Sequence, residues 1–382
     1  MLSLRVSSSL SRRGSFRRRV VFESLPNRTT GIRGIRGLAT VVADANDSNF
    51  RIPVIDFKKF RSANSAAEKK KTADEIVDAF KESGFIYVEG HGIPADTVSD
   101  VFKKSADFFK LPTEVKMKLA WEDPRSNRGY VQMGRERVTQ SKDAAEIAQL
   151  RAKAPDYKES MEIGRDWDSE WKNMWPRESD APGFKSKMLA FYQSCHDLHV
   201  EIMRSVALGL GLEERFFDRK IDQQCHNLRL LSYPAVKRSL LEGEGQARAG
   251  AHSDYGTLTL LFQDSVFLRY IPSVGGLQVR NPNTGSYVAA VPIPGTIVIN
   301  VGDLLARWSN DVLRSTLHRV VTPSHTINEI ETVTPGRQSI AFFCNPNFDA
   351  EITCLPTCGP EAKYPVVNAG NYIIGRLTVT YT

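Results

Sequence analysis

Hydrophobic positions repeat with a helical period in the first half of the chain. Val98, Val101, Phe102, Ala106 and Phe109 are an example, and their spacing predicts an amphipathic helix. By the same criterion we predict helices over residues 72–83, 94–110 and 182–211, and another that begins at residue 112. The runs at 51–57 and 85–88 predict strands, whereas residues 121–180 show no period and are expected to be irregular.

From residue 227 onward the pattern changes to short apolar runs separated by glycine and proline turns. We predict strands in the runs LRLLSY (228–233), TLTLLF (257–262), GLQV (276–279), TIVINV (296–301) and SIAFF (339–343). Many short strands at this spacing are typical of a β-sandwich or barrel. The expected fold class is therefore mainly β with α, a β-core with the N-terminal helices packed around it.

The net charge of +7 comes from the N-terminus. Residues 1–40 hold nine arginines, no lysine and one acid, a charge of +8, so the rest of the chain sums to −1. A nearly neutral body argues against nucleic-acid binding. The leader is rich in arginine and serine, which is typical of a mitochondrial transit peptide, so we expect import into the matrix. The alternative is a basic tail, or a start codon placed too far upstream, with a cytoplasmic location.

Composition narrows the class of protein further. The chain has 382 residues, 41% of them hydrophobic, and no apolar stretch approaches the length of a membrane-spanning helix. The five cysteines are odd in number and form no C-x-x-C pair, so we expect free thiols rather than disulfides or a zinc ribbon. We expect a monomer that binds a small molecule, with neither a membrane nor a nucleic acid as partner.

His252-Ser253-Asp254 places a histidine and a carboxylate two residues apart, just before a predicted strand. In extended backbone, residues i and i+2 point the same way, so both side chains can reach one point. His318, in the strand-like run 315–320, is the best candidate for a third ligand. Two imidazoles and one carboxylate leave three coordination positions open. That arrangement suits an Fe(II) enzyme that binds a co-substrate and O2 at adjacent sites.

Arg337-Gln338-Ser339 is a second pair on one face of a predicted strand. A guanidinium and a hydroxyl there can hold a carboxylate, the arginine through two parallel hydrogen bonds. A dicarboxylate could therefore chelate the iron with one end and meet Arg337 with the other.

These pieces belong to a longer series of motifs. In chain order the series is RIPVIDF (51–57), GFIYVEGHGI (84–93), NRGY (127–130), LRLLSYP (228–234), HSDYGTLTLLFQD (252–264), GGLQV (275–279), VPIPGTIVINVGDLLARWSN (291–310), STLHRV (315–320), RQS (337–339) and YIIGRL (372–377). It resembles the Fe(II)/2-oxoglutarate dioxygenase superfamily, in the branch that includes isopenicillin N synthase and fungal and plant oxidases. The resemblance implies a double-stranded β-helix, or jelly roll. An N-terminal helical or mixed region would span residues 51–180, and a β-core with its long supporting helix residues 181–382.

The resemblance also implies roles for six residues. Iron would be held by His252, Asp254 and His318, and the distal carboxylate of 2-oxoglutarate by Arg337 and Ser339 with help from Tyr233. The implied reaction oxidises a small-molecule substrate with O2, most simply by hydroxylation, and releases succinate and CO2. Ascorbate is a candidate reductant. Two alternatives stay open: a 2-oxoglutarate-independent non-haem iron oxidase of the same fold, and a non-catalytic jelly-roll binding protein.

Four residues are candidates for contact with the substrate. They are Arg128 and Tyr130 in the NRGY element, Arg229 on the strand of Tyr233, and Phe343, four residues after Ser339. Arg128 could instead be a structural ion-pair partner, and Phe343 a core residue.

Two further features need interpretation. Residues 265–274 (SVFLRYIPSV) interrupt the family pattern between QD and GGLQV. They are either a loop over the active-site mouth or an artefact of gene prediction.

His196 and His199 lie three apart on a predicted helix, a spacing that can bind metal, but no third ligand is evident beside them. We therefore expect one metal site.

Overall fold

The computed structural model describes residues 50–121, 123, 125–136, 141, 143–153, 156–240, 248–264, 275–321 and 333–381. The predicted leader and the insertion at 265–274 lie outside these residues. The helices are α1 (Lys58–Arg61), α2 (Ala66–Glu82), α3 (Ala95–Phe109), α4 (Thr113–Met117), α5 (Ala144–Lys153), α6 (Phe184–Gly209), α7 (Asp218–Ile221), α8 (Asp303–Trp308) and α9 (Ala369–Tyr381).

The strands alternate with turns through most of the C-terminal half. They are β1 (Val54–Asp56), β2 (Phe85–Glu89), β3 (Gly129–Val131), β4 (Glu159–Ile163), β5 (Asn227–Tyr233), β6 (Val236–Lys237), β7 (Ala249–His252), β8 (Leu258–Gln263), β9 (Leu277–Arg280), β10 (Tyr287–Ala289), β11 (Ile297–Val301), β12 (His318–Val320), β13 (Val333–Thr334), β14 (Arg337–Cys344), β15 (Glu351–Ile352) and β16 (Val367–Asn368).

Two larger sheets carry the architecture. Eight strands form one sheet in the order β1-β2-β11-β8-β14-β5-β4-β3, and four form another in the order β10-β9-β12-β7. Within them the neighbours pair antiparallel except β1 with β2. One hydrophobic cluster takes residues from both sheets, among them Phe85, Val298, Leu277 and Val320, so it packs between them. The fold is thus mixed α/β with multi-stranded antiparallel sheets.

Alternate residues of strand β14 point to opposite faces of the eight-stranded sheet. Ile340 and Phe342 are fully buried on the face that meets α6, where Phe342 lies edge-on to Tyr192 with the ring centroids 5.0 Å apart. Ser339 and Ala341 face the other way, toward the four-stranded sheet. Burial of each large side chain on the helix side contributes about 1.5–3 kcal/mol. This packing fixes which residues of β14 can reach the space between the sheets.

The structure differs from the sequence-based prediction at the start of α2 and within residues 121–180. Helix α2 begins at Ala66, six residues before the predicted start at residue 72, because Ser65 caps it by accepting a hydrogen bond from the backbone N–H of Glu68 at 3.2 Å. Strands β3 and β4 and helix α5 all lie in the stretch 121–180, which was predicted to be irregular. Strand β4 gave no apolar run because two of its buried positions are occupied by polar residues, Ser160 and Glu162. Among the described helices, none is both long and apolar enough to span a bilayer.

Candidate metal centre and its two cavities

His252 and His318 face each other across two neighbouring strands. His252 is the last residue of β7 and His318 the first of β12, and the antiparallel register pairs them directly. Their ring centroids are 4.3 Å apart. Strand register therefore brings together two histidines that are distant in the chain.

Asp254 joins them from the turn that follows β7. Its Oδ1 lies 3.8 Å from Nε2 of His252 and 3.7 Å from Nε2 of His318. Its Oδ2 accepts hydrogen bonds from Thr259 Oγ1 at 2.6 Å and from Asn300 Nδ2 at 2.7 Å. Burial would raise the pKa of Asp254, but the facing imidazoles and these two hydrogen bonds lower it below its ordinary value. One oxygen is anchored and the other is directed at both imidazoles.

Both imidazoles have the tautomer that a metal requires. Nδ1 of His252 lies 2.7 Å from the carbonyl oxygen of Gly250, and Nδ1 of His318 lies 3.2 Å from that of Thr316. A carbonyl oxygen only accepts, so each Nδ1 donates and each Nε2 keeps its lone pair. Burial lowers the pKa of His252 to about 4, so its ring is neutral at physiological pH. Two imidazole nitrogens and a carboxylate oxygen, with ligand atoms within 4.8 Å of one another, fit a divalent transition metal such as Fe(II).

A first cavity, which we call the inter-sheet cavity, opens beside this group. Its wall includes Tyr233, Arg337 and Ser339 together with His252 and His318. Arg337 pairs with Tyr233 across β14 and β5, and its guanidinium carbon lies 4.8 Å from the tyrosine ring centroid. Nη1 of Arg337 is buried and has no hydrogen-bond partner in the described part of the chain. An unpartnered guanidinium nitrogen in a cavity that also reaches the metal-binding group fits a dicarboxylate.

Arg248, which no sequence motif indicated, lies near the same tyrosine. It is 1% exposed, and its guanidinium carbon is 5.9 Å from the Tyr233 ring centroid. Nη2 donates to the carbonyl of Pro335, while Nε and Nη1 have no partner among the described residues. Burial first, and then the neighbouring charge of Arg337, lower the pKa of Arg248 to about 10. A second guanidinium therefore adds to the positive potential around the inter-sheet cavity.

A second cavity, which we call the α9 cavity, is lined by His252 and Asp254 and partly covered by α9. Its wall includes three of the four predicted substrate residues, Arg128, Arg229 and Phe343. Arg229 and Phe343 line the inter-sheet cavity as well, and the Arg229 guanidinium carbon lies 5.2 Å from the Phe343 ring centroid. These two residues thus stand where the cavities meet.

Tyr130, the fourth substrate candidate, is not in the wall of either cavity. Its ring lies edge-on to Phe108 with the centroids 6.4 Å apart, and its hydroxyl donates to Glu159 at 2.7 Å. Gly129 has a φ of 110°, so the backbone turns between Arg128 and Tyr130. The two side chains therefore do not share a face as they would in regular strand.

Arg229 lines both cavities, but the carboxylates that it contacts belong to the protein itself. Its Nε lies 2.8 Å from Glu162 Oε1 and its Nη1 3.2 Å from Glu136 Oε1, and Glu136 also pairs with Lys158. All four side chains are buried, and each basic group lies beside an acidic one. Neither Glu136 nor Lys158 was predicted, because single charges in an unpatterned segment carry no signal of long-range pairing.

His196 and His199 have a third histidine beside them, His226. Its Nδ1 accepts a hydrogen bond from the backbone N–H of Asn345 at 3.0 Å, so its Nε2 carries the proton and donates to Nδ1 of His196 at 3.0 Å. A nitrogen that donates has no lone pair for a metal. Burial lowers the pKa of all three, that of His199 to about 3. The cluster is a hydrogen-bonded part of the core.

Two histidines and one carboxylate beside a cationic cavity define the class of mononuclear non-haem iron sites. Residues 52–178 match the family described as "non-haem dioxygenase in morphine synthesis N-terminal", and residues 224–346 match the 2OG-Fe(II) oxygenase superfamily. The chain therefore belongs to the 2OG-Fe(II) oxygenase superfamily. It is a 2-oxoglutarate-dependent dioxygenase that uses Fe(II), as the motif series predicted.

Several relatives cover most of the chain. The 2-oxoglutarate-Fe(II) type oxidoreductase ppzD of Metarhizium majus is 34% identical over 348 residues, 87% of this chain and 95% of that protein. The proline hydroxylase buaE of Petromyces alliaceus is 36% identical and covers 86% of this chain and 98% of its own length. The crystal structure of a full-length Neurospora crassa protein in complex with alpha-KG and thymine superimposes with a TM-score of 0.77, at 47% identity, over 86% of this chain and 97% of that one.

Proposed function

We propose that the enzyme oxidises the methyl group of a pyrimidine base such as thymine. The α9 cavity carries this proposal, because it joins an aromatic face to polar side chains next to the metal-binding group. The similarity to the Neurospora crassa protein, crystallised with thymine and also with 5-formyluracil, supports it. In thymine the methyl carbon is the only saturated carbon, so it is the natural target for hydroxylation. Thymine, 2-oxoglutarate and O2 would give the hydroxymethyl base, succinate and CO2.

Fe(II) would be held by His252, Asp254 and His318. When bound, the metal supplies the activation of O2 that couples decarboxylation of 2-oxoglutarate to oxidation of a substrate C–H bond. The inter-sheet cavity would hold 2-oxoglutarate, with its distal carboxylate on Arg337 and Ser339 and with Tyr233 supporting the guanidinium. Arg248 would add charge without direct contact. These residues bind and orient the co-substrate and exclude water from it.

Phe343 and Arg229 would position the base. A planar base can lie against the Phe343 ring, which faces both cavities. The ion pairs of Arg229 with Glu136 and Glu162 fix its guanidinium at the junction of the cavities. The substrate would thus meet a rigid wall in which the Arg229 guanidinium is already paired with carboxylates, which suits an uncharged ring.

The test is turnover of defined substrates by the Fe(II)-loaded enzyme with 2-oxoglutarate in air. Thymine should give succinate together with a product heavier by one oxygen atom. Uracil, which lacks the methyl group, should give no oxygenated product. Oxygenation of L-proline but not of thymine would overturn the proposal and favour an activity like that of the fungal proline hydroxylase. Oxygenated thymine without any need for 2-oxoglutarate would favour the alternative oxidase.

We further infer that the eight-stranded and four-stranded sheets are the two layers of a double-stranded β-helix. The mixed cluster between them supports this. Three further points stay predictions: the boundary between an N-terminal region (51–180) and a β-core with its supporting helix (181–382), the monomeric state, and the use of ascorbate as reductant. So does import by residues 1–40. Fusing residues 1–45 to a fluorescent protein should direct it to mitochondria, and a diffuse cytosolic signal would contradict import.

A further inference from the structure

Arg128 is a buried cation that no carboxylate of the described residues contacts directly. It is 7% exposed and lines the α9 cavity. Its Nη1 donates to backbone carbonyls, those of Ser126 at 3.2 Å and Asn127 at 3.0 Å, and its Nε is buried without a partner in the same part of the chain. Burial lowers its pKa. A buried guanidinium in this condition is costly unless a ligand completes its hydrogen bonds.

The surrounding backbone is shaped to admit this guanidinium. A Cβ atom on Gly164 would lie 1.9 Å from Cζ of Arg128, so the guanidinium rests directly against the glycine backbone. The backbone of Asn127 has a φ of 46°, in the left-handed region that residues other than glycine rarely adopt. Strain of this kind accumulates at ligand-binding positions, where the rest of the structure enforces it.

Two asparagines complete the same wall. Nδ2 of Asn227 donates to the backbone carbonyl of Asn127 at 3.0 Å, which fixes the direction of its amide. The Oδ1 atoms of Asn127 and Asn227 are both buried and have no partner in the described part of the chain. Both residues line the α9 cavity with Arg128. Three polar atoms in one cavity wall, two acceptors and one donor, therefore lack hydrogen bonds to the described residues, and buried polar atoms are rarely left so.

We propose that Arg128, Asn127 and Asn227 bind the amide edge of the base and thereby determine specificity for a pyrimidine-dione. This inference rests on the proposed function. Opposite its methyl carbon, thymine carries one carbonyl between two N–H groups. The guanidinium Nε donates to that carbonyl, and the two amide oxygens accept from the flanking N–H groups. The inventory of donors and acceptors in the wall matches this edge, and the methyl group on the far side of the ring is left for oxidation.

The test measures thymine affinity apart from turnover. Thymine is titrated calorimetrically into the anaerobic Fe(II)–2-oxoglutarate complex of each variant. Arg128→Met should weaken thymine binding by about 10- to 100-fold, the usual effect of losing a hydrogen bond from a charged donor. Asn227→Ala should weaken it by about 5- to 10-fold. The affinity for 2-oxoglutarate, measured alone, should change less than about twofold, because Arg337 is untouched. Arg204→Met is the matched control, since that arginine is paired with Asp218 and is not in the wall of either cavity.

Ring-methylated thymines test the same contacts from the ligand side. Wild type should bind 1-methylthymine and 3-methylthymine more weakly than thymine, and Asn227→Ala should lose part of the discrimination against one of them. Gly164→Ala keeps every functional side chain but displaces the guanidinium, so it should weaken thymine binding as Arg128→Met does. Turnover of thymine by wild type with unchanged thymine affinity in Arg128→Met and Asn227→Ala would overturn this inference alone. Failure of wild type to bind thymine would overturn the proposed function as well.

Discussion

The hydrogen bond from Thr259 to Asp254 provides a sharp test of how the metal ligands are held. Thr259 Oγ1 donates to Asp254 Oδ2 at 2.6 Å, and Asn300 donates to the same oxygen at 2.7 Å. Thr259→Val keeps the shape and the β-branch that suits strand β8, but removes the donor. A hydrogen bond to a charged acceptor contributes about 1.5–3 kcal/mol. Because Asn300 remains, we expect the lower end, about 1.5 kcal/mol, which is roughly a tenfold weaker Fe(II) affinity.

The assay is anaerobic competition for Fe(II) against a chelating indicator. Thr259→Ser is the control, because it loses the methyl group and keeps the hydroxyl, so its Fe(II) affinity should stay close to that of wild type. Thermal unfolding of the metal-free proteins checks that both variants fold. Equal Fe(II) affinities of the Val and Ser variants would refute the reasoning that this hydrogen bond orients Asp254.

Three further predictions concern stability and can be measured by urea unfolding of the metal-free protein. The pKa of buried His199 is about 3 in the folded state, against an ordinary value of 6.5. Below pH 6.5 the unfolded chain therefore binds more protons than the folded one, and the free energy of unfolding falls as the pH drops from 6.5 toward 3. Between pH 8 and pH 5 this histidine should account for a loss of about 2 kcal/mol, which His199→Gln should abolish; equal losses in the two proteins would contradict it. Lys158→Met removes a partner of buried Glu136 and should destabilise by about 3 kcal/mol, and a change below about 1 kcal/mol would contradict a stabilising role of this ion pair. Gly256→Ala places a Cβ 2.1 Å from the carbonyl oxygen of Cys344, so it should destabilise by more than about 2 kcal/mol, and a neutral result would mean that β8 and β14 can separate locally.

The sequence predicted best those pairs of residues that share a regular strand. Arg337 and Ser339 lie on one face of β14, as the two-residue period requires. The two-residue period of a strand does not explain why the metal ligands His252 and Asp254 converge. His252 ends β7 and Asp254 lies in the turn after it, so their convergence depends on the turn rather than on extended backbone.

Other features depend on tertiary contacts that no local pattern reports. The pairing of His318 with His252 follows from the register of β12 on β7, and the placement of Arg248 near Tyr233 from packing of distant segments. The ion pairs of Glu136 with Lys158 and Arg229 form between segments that are distant in the chain, so the sequence alone did not predict them. Similarly, the third histidine of the buried cluster, His226, lies far in sequence from His196 and His199, so their helical spacing alone suggested an incomplete site.

The most direct test of the central claim is an anaerobic titration of the Fe(II)-loaded protein with 2-oxoglutarate, followed by the visible metal-to-ligand charge-transfer band. Residues 41–382 are used, with Arg337→Ala alongside. We predict a saturable band in the parent protein and none in Arg337→Ala at the same concentrations. Arg337 lies in the wall of the inter-sheet cavity, and its Nη1 has no hydrogen-bond partner among the described residues, so it is available to bind the distal carboxylate. Parent protein that holds iron yet develops no band would contradict binding of 2-oxoglutarate in the inter-sheet cavity. A band of equal strength in Arg337→Ala would contradict the role of Arg337.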